Sequence, residues 1–379
     1  MQQGVGVTFP AASLLVLRRG KTFFHRAYGW LDPERKAYPA SIDTRFDLAS
    51  LTKIFTATAF MTLVDRGFVA LDDPVSSVIP EFGGLRPVSA GMDPHTKKPL
   101  APDPRFAGMM VDASAVTFRQ LLTHTSGLAA WIDMCRGAKL DDPIPLPHEM
   151  LPDRPQRLAA LLQSPTFIYP PERRYVYSDL GFMILSVAIE RLTALSLPDY
   201  LQQAVLSRLG MDSIIYNPLA YGLSRELIAP TEFCAWRRRR VWGEVHDENA
   251  ACLGGVSGHA GLFGAAADVA ALGQAFLAKN GALLSPELMM EMTREQVRME
   301  GARRGLGWQL PGEIINPVGN AFSARSFGHT GFTGTSLWIE PELELVVALL
   351  TNRVYYGRDP QPIADFRITL HQTISELLQ

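Results

Sequence analysis

Apolar residues recur at helical spacing through 51–66, and the run stops at Gly67, as a helix does at a residue free to leave the helical backbone. The same periodicity predicts helices over 179–193, 198–209 and 266–278. At the chain ends the pattern changes. "ASLLVL", a glycine turn in "RRGK" and the aromatic-rich "TFFHRAYGW" predict a hairpin within 12–30. Near the C-terminus "TSLWIEP" and "ELELVVALLTN" predict two strands broken by Pro341, with "RSFGHTG" as a third before them. A helix over about 359–378 closes the chain.

Strands at both ends around a helical middle predict an α+β fold: an antiparallel sheet flanked by helices, built from both chain ends, with a large inserted helical lobe. The sheet lobe is expected at 1–48 and 302–379, the mainly helical lobe at 49–301. Two Pro/Gly-rich stretches, 83–113 and 131–173, are too long for simple connections and are expected to wall a cleft.

Composition adds limits. A chain of 379 residues fits about two lobes, and 47% hydrophobic with 20% charged residues is ordinary for a globular protein. The net charge of −2 supplies no global field for nucleic acid or an anionic membrane. No apolar run reaches the roughly 20 residues of a membrane span. Three scattered cysteines, Cys135, Cys234 and Cys252, argue against a disulfide framework or a cysteine-built metal site. The start lacks a charged-then-apolar secretory pattern, so the chain as written is expected in the cytoplasm, or outside it if this is a mature or trimmed chain.

Candidate chemistry begins with Lys53, the one charge in the run from Leu48 to Val64. An unpaired ammonium inside a protein costs several kcal/mol, so Lys53 either snorkels or is held inside for its chemistry. Ser50 lies three residues before it, on the same helical face. A serine at a helix start beside a desolvated amine is a plausible acyl-accepting nucleophile. The plain alternative is a capping serine and a solvent-reaching lysine. "YSD" at 177–179 opens the next apolar helix, with Tyr177 as a phenolic proton shuttle or Asp179 as a simple helix-start residue. "HTG" at 329–331 falls on a predicted strand, where Gly331 lets a substrate backbone approach.

In this order, "SLTK", "YSD" and "HTG" resemble the motifs of the serine β-lactamase and penicillin-binding protein superfamily, in its class C-like branch. Further likeness lies in "LLTHTSGL" (121–128), "GEVHDENAACLGGVSGHAGLFGAAADVA" (243–270) and "GLGW" (305–308). The resemblance implies a β-lactamase/transpeptidase-like fold and a serine hydrolase acting on esters, D-Ala-D-Ala-type peptides or β-lactams without a cofactor. It implies Ser50 as nucleophile, Lys53 as its activating amine and Tyr177 as general base. The backbone N–H groups of Ser50 and Phe332 would form the oxyanion hole, with Asp179, His329, Thr330 and Gly331 on the substrate. Asp179 stands where these enzymes usually carry asparagine and His329 where many carry lysine, which disfavours efficient β-lactam hydrolysis. Asp179 is expected to pair with Lys53, and His329 to offer a hydrogen bond or partial positive charge to an acidic group. The N-terminal helix common in the family is absent or shortened here.

Rival readings remain. A non-catalytic penicillin-binding or sensor-like module would usually lose Ser50, Lys53 or Tyr177, and all three are kept. His246, Asp247, Glu248, Cys252 and His259 could ligate a metal, His246 and His259 above all, but intervening glycines favour a loop. "WRRRRVW" (236–242) reads as a solvated loop or a rim drawing acidic substrates rather than a nucleic-acid grip. His124 is expected to be a hydrogen-bonded structural histidine beside the site. Partners are therefore a small-molecule or peptide acyl substrate, with no nucleic acid and no membrane span; the oligomeric state is not legible.

Overall fold

The structure is a computed structural model and describes residues 1–94, 96–135, 154–235 and 237–378. Nine strands form one antiparallel sheet: β1 (Ala11–Arg18), β2 (Lys21–Asp32), β3 (Ala37–Pro39), β4 (Val297–Met299), β5 (Ala302–Arg304), β6 (Gln309–Leu310), β7 (Phe327–Thr330), β8 (Ser336–Glu340) and β9 (Leu345–Thr351). Their order is β4-β5-β6-β7-β8-β9-β1-β2-β3, so the C-terminal strands pair with the N-terminal hairpin through β9 and β1. The expected closure of one sheet from both chain ends is what forms, and its strands begin at Val297, a few residues before the expected boundary.

The central strands are apolar on both sides because both faces are covered. Side chains alternate across a strand, and β9 divides accordingly. Val346, Ala348 and Leu350 enter the main core, whereas Leu345, Val347 and Leu349 pack with Leu370 and Ile374 of the C-terminal helix. The helical lobe supplies α1 (Thr52–Asp65), α2 (Asp179–Thr193), α3 (Glu248–Cys252) and α4 (Ala266–Ala278), and α5 (Gln361–Leu378) covers the other face. Gly273 of α4 lies so close to the sheet that a Cβ there would sit 2.8 Å from Val346, so α4 packs directly on β8 and β9. Twelve residues of α1 are buried, which is why it reads as apolar all round. Among the described residues no single helix is long and apolar enough to cross a membrane.

Several expectations change. The 83–113 stretch contains the strand pair Leu85–Pro87 and Met110–Asp112, and the 131–173 stretch contains a helix, Arg154–Gln163; residues 136–153 lie outside the described residues. The 198–209 helix is interrupted by a π-turn at Gln202–Leu206. The chain as written opens on one 3₁₀ turn, Gln2–Gly4, followed by Phe9 packed edge-on against Phe366 of α5. Cys135 and Cys252, 117 residues apart, are disulfide-bonded, correcting the expectation of unpaired thiols; Cys234 is free and buried. Proximity created by packing, not spacing in the chain, decides that pairing.

Candidate active site

Ser50 sits on a 3₁₀ turn, Ala49–Leu51, that feeds directly into α1. The turn is held from outside. Ala49 has a left-handed φ of 46°, and buried Asp47 accepts hydrogen bonds from the N–H groups of Ala49 (2.8 Å) and His246 (2.6 Å). A non-glycine residue in that conformation persists only where its surroundings enforce it. Burial pushes the Asp47 carboxyl up, against the effect of those two donors.

Lys53 is fully buried one turn along α1. Its Nζ donates to Ser50 Oγ and to the His259 carbonyl, each at 3.0 Å, and lies 2.7 Å from Asp179 Oδ1. Burial opposes the ammonium charge, but the Asp179 carboxylate, helped by Tyr177, outweighs it and lifts the Lys53 pKa above its ordinary value. Asp179 is the first residue of α2, where the helix dipole favours a carboxylate. Lys53 Nζ also stands 4.9 Å from the centre of the Tyr177 ring.

The "LLTHTSGL" segment docks the tyrosine. His124, at φ 60°, stacks on Tyr177 with ring centroids 4.5 Å apart. Its Nδ1 accepts from the Ser178 N–H (3.0 Å), Ser178 Oγ donates to Ala129 O (2.6 Å), and the Asp179 N–H donates to Ala130 O (3.0 Å). His124 is thus the hydrogen-bonded positioning histidine that its motif predicts. Burial, then the nearby charges of Arg304 and Lys53, keep it neutral.

The "HTG" segment is tied to the serine loop from the opposite side. Thr333 Oγ1 donates to Asp47 O (2.7 Å) and Thr335 Oγ1 to Leu48 O (3.0 Å). A Cβ on Gly331 would lie 2.6 Å from Leu48 O, so only glycine permits this approach. Ser50, Tyr177 and Phe332 line two openings. One, of about 200 Å³, includes Lys97, Trp131, Asp179, Asp247 and Arg358; the other, of about 580 Å³, includes Arg304, Ile314, Ile315, His329 and Thr330. The loops 83–113 and 131–173 contribute Lys97 and Trp131 to the first wall, where Lys97 Nζ lies 3.7 Å from the Trp131 ring centre.

A family model described as "Beta-lactamase" matches residues 2–370. The chain belongs to the beta-lactamase family. A Salmonella agona (strain SL483) protein, provisionally named a D-alanyl-D-alanine carboxypeptidase, is 28% identical over 406 positions, covering 100% of this chain and 85% of that protein. Two solved structures share the fold. Simvastatin synthase of Aspergillus terreus has a TM-score of 0.72 at 20% identity, covering 100% of this chain and 96% of that one. EstCE1, titled a hydrolase with promiscuous acyltransferase activity, has a TM-score of 0.70 at 20% identity, covering 97% and 96%. The family is one of serine hydrolases on a β-lactamase/transpeptidase fold.

Within this family member, two sequence expectations need correction. His329 does not carry positive charge: burial, then Arg304 and Lys53, hold its pKa well below the ordinary value, and its Nδ1–H donates to Thr330 O at 2.9 Å. Among the cations on that side is Arg304 of β5, which sequence reading missed. Its guanidinium lies 5.4 Å from the Tyr177 ring centre and 5.3 Å from that of Tyr175, and its Nε and Nη1 are buried without a protein acceptor among the described residues. Its only sequence signal is a place immediately before "GLGW".

His246 and His259, named as ligands in the rival metal reading, have separate partners. His246 pairs with Glu232 (3.3 Å) and His259 with Asp247 (2.8 Å). Side-chain ligand atoms of Asp179, Asp247 and His259 do come within 4.8 Å of one another, but the Lys53 ammonium already bonds Asp179 there. The second correction is the arginine run, which is solvated only in part: Arg238 is exposed, while its neighbours find protein partners. Arg237 is buried and donates to Val245 O (2.7 Å), Arg239 pairs with Glu244 (2.7 Å), and Arg240 stacks on Tyr355 (3.7 Å). Trp236 lies outside the described residues.

Proposed function

We propose that this chain is a serine acyl hydrolase forming an acyl-enzyme on Ser50, and that its preferred substrates release a carboxylate-bearing leaving group, as D-Ala-D-Ala-type peptides do. The carrying observation is Lys53 Nζ bridging Ser50 Oγ at 3.0 Å and Asp179 Oδ1 at 2.7 Å. An ammonium held charged this way cannot take the serine proton, so that work passes to Tyr177. Tyr177, with the Lys53 ammonium beside its ring, acts as the base and accepts the Ser50 proton as Oγ bonds to the acyl carbon. The phenol then returns the proton to the departing group, and the same residue deprotonates the water that cleaves the acyl-enzyme. The N–H groups of Ser50 and Phe332 receive the charge developing on the carbonyl oxygen, each donor contributing about 3 kcal/mol.

The anionic preference is supported by Arg304. A largely buried guanidinium that lines the opening beside Ser50 and Tyr177 is a cation with which an incoming carboxylate can pair. The name of the Salmonella relative agrees with this reading. Asp179 offers no N–H to a substrate carbonyl, which supports slow turnover of β-lactams.

Intact-mass analysis after fluorophosphonate treatment is the test. One adduct on Ser50, lost in Ser50→Ala together with turnover of p-nitrophenyl butyrate and a D-Ala-D-Ala peptide, is expected. Turnover that survives Ser50→Ala but not a chelator would replace this reading with a metal-dependent one.

A further inference from the structure

A trans peptide unit is planar, with its N–H and C=O pointing in opposite directions. The Phe332 N–H therefore shares one rigid plane with the Gly331 carbonyl, and whatever grips that oxygen aims that N–H. The grip is Arg367 of α5. Its Nη2 donates to Gly331 O at 3.3 Å and to Thr335 O at 2.7 Å, and the Gly331 N–H donates to the same Thr335 O at 2.7 Å. The following carbonyl, Phe332 O, accepts from Arg353 Nε at 2.9 Å. Both peptide planes that meet at Phe332 are thus held by arginines from the C-terminal segment.

Arg367 is buried, and the charged group that acts on it most is another guanidinium, Arg353. Stability alone does not favour such an arrangement, since an apolar side chain would join α5 to the sheet without a desolvation cost. Its two carbonyl bonds do something an apolar side chain cannot. A cation bonded to an amide carbonyl polarises the whole unit and strengthens its N–H as a donor, because linked hydrogen bonds reinforce one another.

We propose that Arg367 is a positioning residue for the oxyanion hole: by holding the Gly331 carbonyl it directs the Phe332 N–H toward the reacting carbonyl and strengthens it. This rests on the Ser50 acyl-enzyme reading above. Arg353 secures the next plane, which carries no oxyanion donor, and so acts more weakly.

Arg367→Met and Arg367→Lys, with the unaltered protein, are to be assayed on p-nitrophenyl butyrate and on its thiono analogue. Sulfur is a poor hydrogen-bond acceptor, so the thiono reaction draws little on the hole. Rates are normalised to the end-point fraction labelled by fluorophosphonate, which removes any misfolded protein from the comparison. In Arg367→Met, kcat on the oxygen ester is expected to fall about 10- to 100-fold at unchanged KM, with a much smaller fall on the thiono ester. Arg367→Lys, which keeps the charge and one donor, should lie between; it carries the test if Arg367→Met does not fold. Equal falls on both esters, or an unmoved ratio, would overturn the proposal while leaving Ser50 labelling intact. Absence of labelling at Ser50 in the unaltered protein would instead remove the reading beneath it.

Discussion

Asp179 and Lys53 form an ion pair at 2.7 Å in which the ammonium is wholly buried and the carboxylate is 17% exposed. Where the motif resemblance leads one to expect an asparagine, this chain carries a charge partner for Lys53. The consequence is a lysine held as a cation, and in the proposed mechanism the proton traffic falls to Tyr177.

Asp179→Asn leaves that cation without its counter-charge. Removing one member of a buried pair typically costs about 3–5 kcal/mol, so a marked drop in unfolding free energy is expected at neutral pH. The sign with pH follows from the raised Lys53 pKa. Its contribution is fully present below the unfolded lysine value of 10.5 and is lost as pH rises through the higher folded value. The stability gap between Asp179→Asn and the parent should therefore narrow only above pH 10.5, as urea titrations carried beyond that pH would reveal.

Arg304→Met should separate leaving groups. KM for a D-Ala-D-Ala peptide is expected to rise about 10- to 100-fold, the scale of a lost charge-assisted bond, while p-nitrophenyl butyrate, with its neutral phenol ester, changes less than threefold. Parallel loss on both substrates would contradict a carboxylate role for Arg304.

Gly331→Ala places a methyl 2.6 Å from Leu48 O, within the seam that joins the serine loop to β7. Activity on every acyl donor should fall at least about 100-fold, as a displaced oxyanion donor demands. Near-native rates would show that the two segments need not touch.

Buried histidines make the fold acid-sensitive. Burial, then Arg367, lowers His371 to about 4 against an ordinary 6.5. The unfolded chain thus binds a proton in this window that the folded chain refuses, so stability is level above pH 6.5 and falls as pH drops from 6.5 toward 4. One such group accounts for at most about 3 kcal/mol. His371→Phe, which keeps the edge-on contact with Phe322, should flatten that slope in melts recorded across pH 4–7.

Cys135–Cys252 ties the Trp131 wall to α3, next to Asp247 and Glu248 of the smaller opening. Reduction, or Cys252→Ala, is expected to cost about 2–4 kcal/mol of stability and to raise KM more than it lowers kcat. A change in kcat alone would contradict a wall-fixing role.

Local pattern was enough for most of the elements and for the placing of Ser50 beside Lys53. Ser50 and Lys53 are three residues apart on an apolar helix, and helical geometry alone puts them on one face. Continuous apolar runs in β8 and β9 likewise announced strands covered on both sides. The loop at 131–173 hid a helix because its amphipathic stretch, 154–163, is short and flanked by prolines.

What the chain could not reveal alone is which charges would meet and which would survive burial. Arg304, Arg353 and Arg367 look like any of 29 arginines until the fold removes their water and leaves them facing a cleft or a carbonyl. His329 reads as a cation in the motif and is neutral in place, because desolvation and neighbouring positive charge act only once the chain has closed. Periodicity is a property of neighbours in sequence; protonation, disulfide pairing and the aim of a peptide plane are set by neighbours in space.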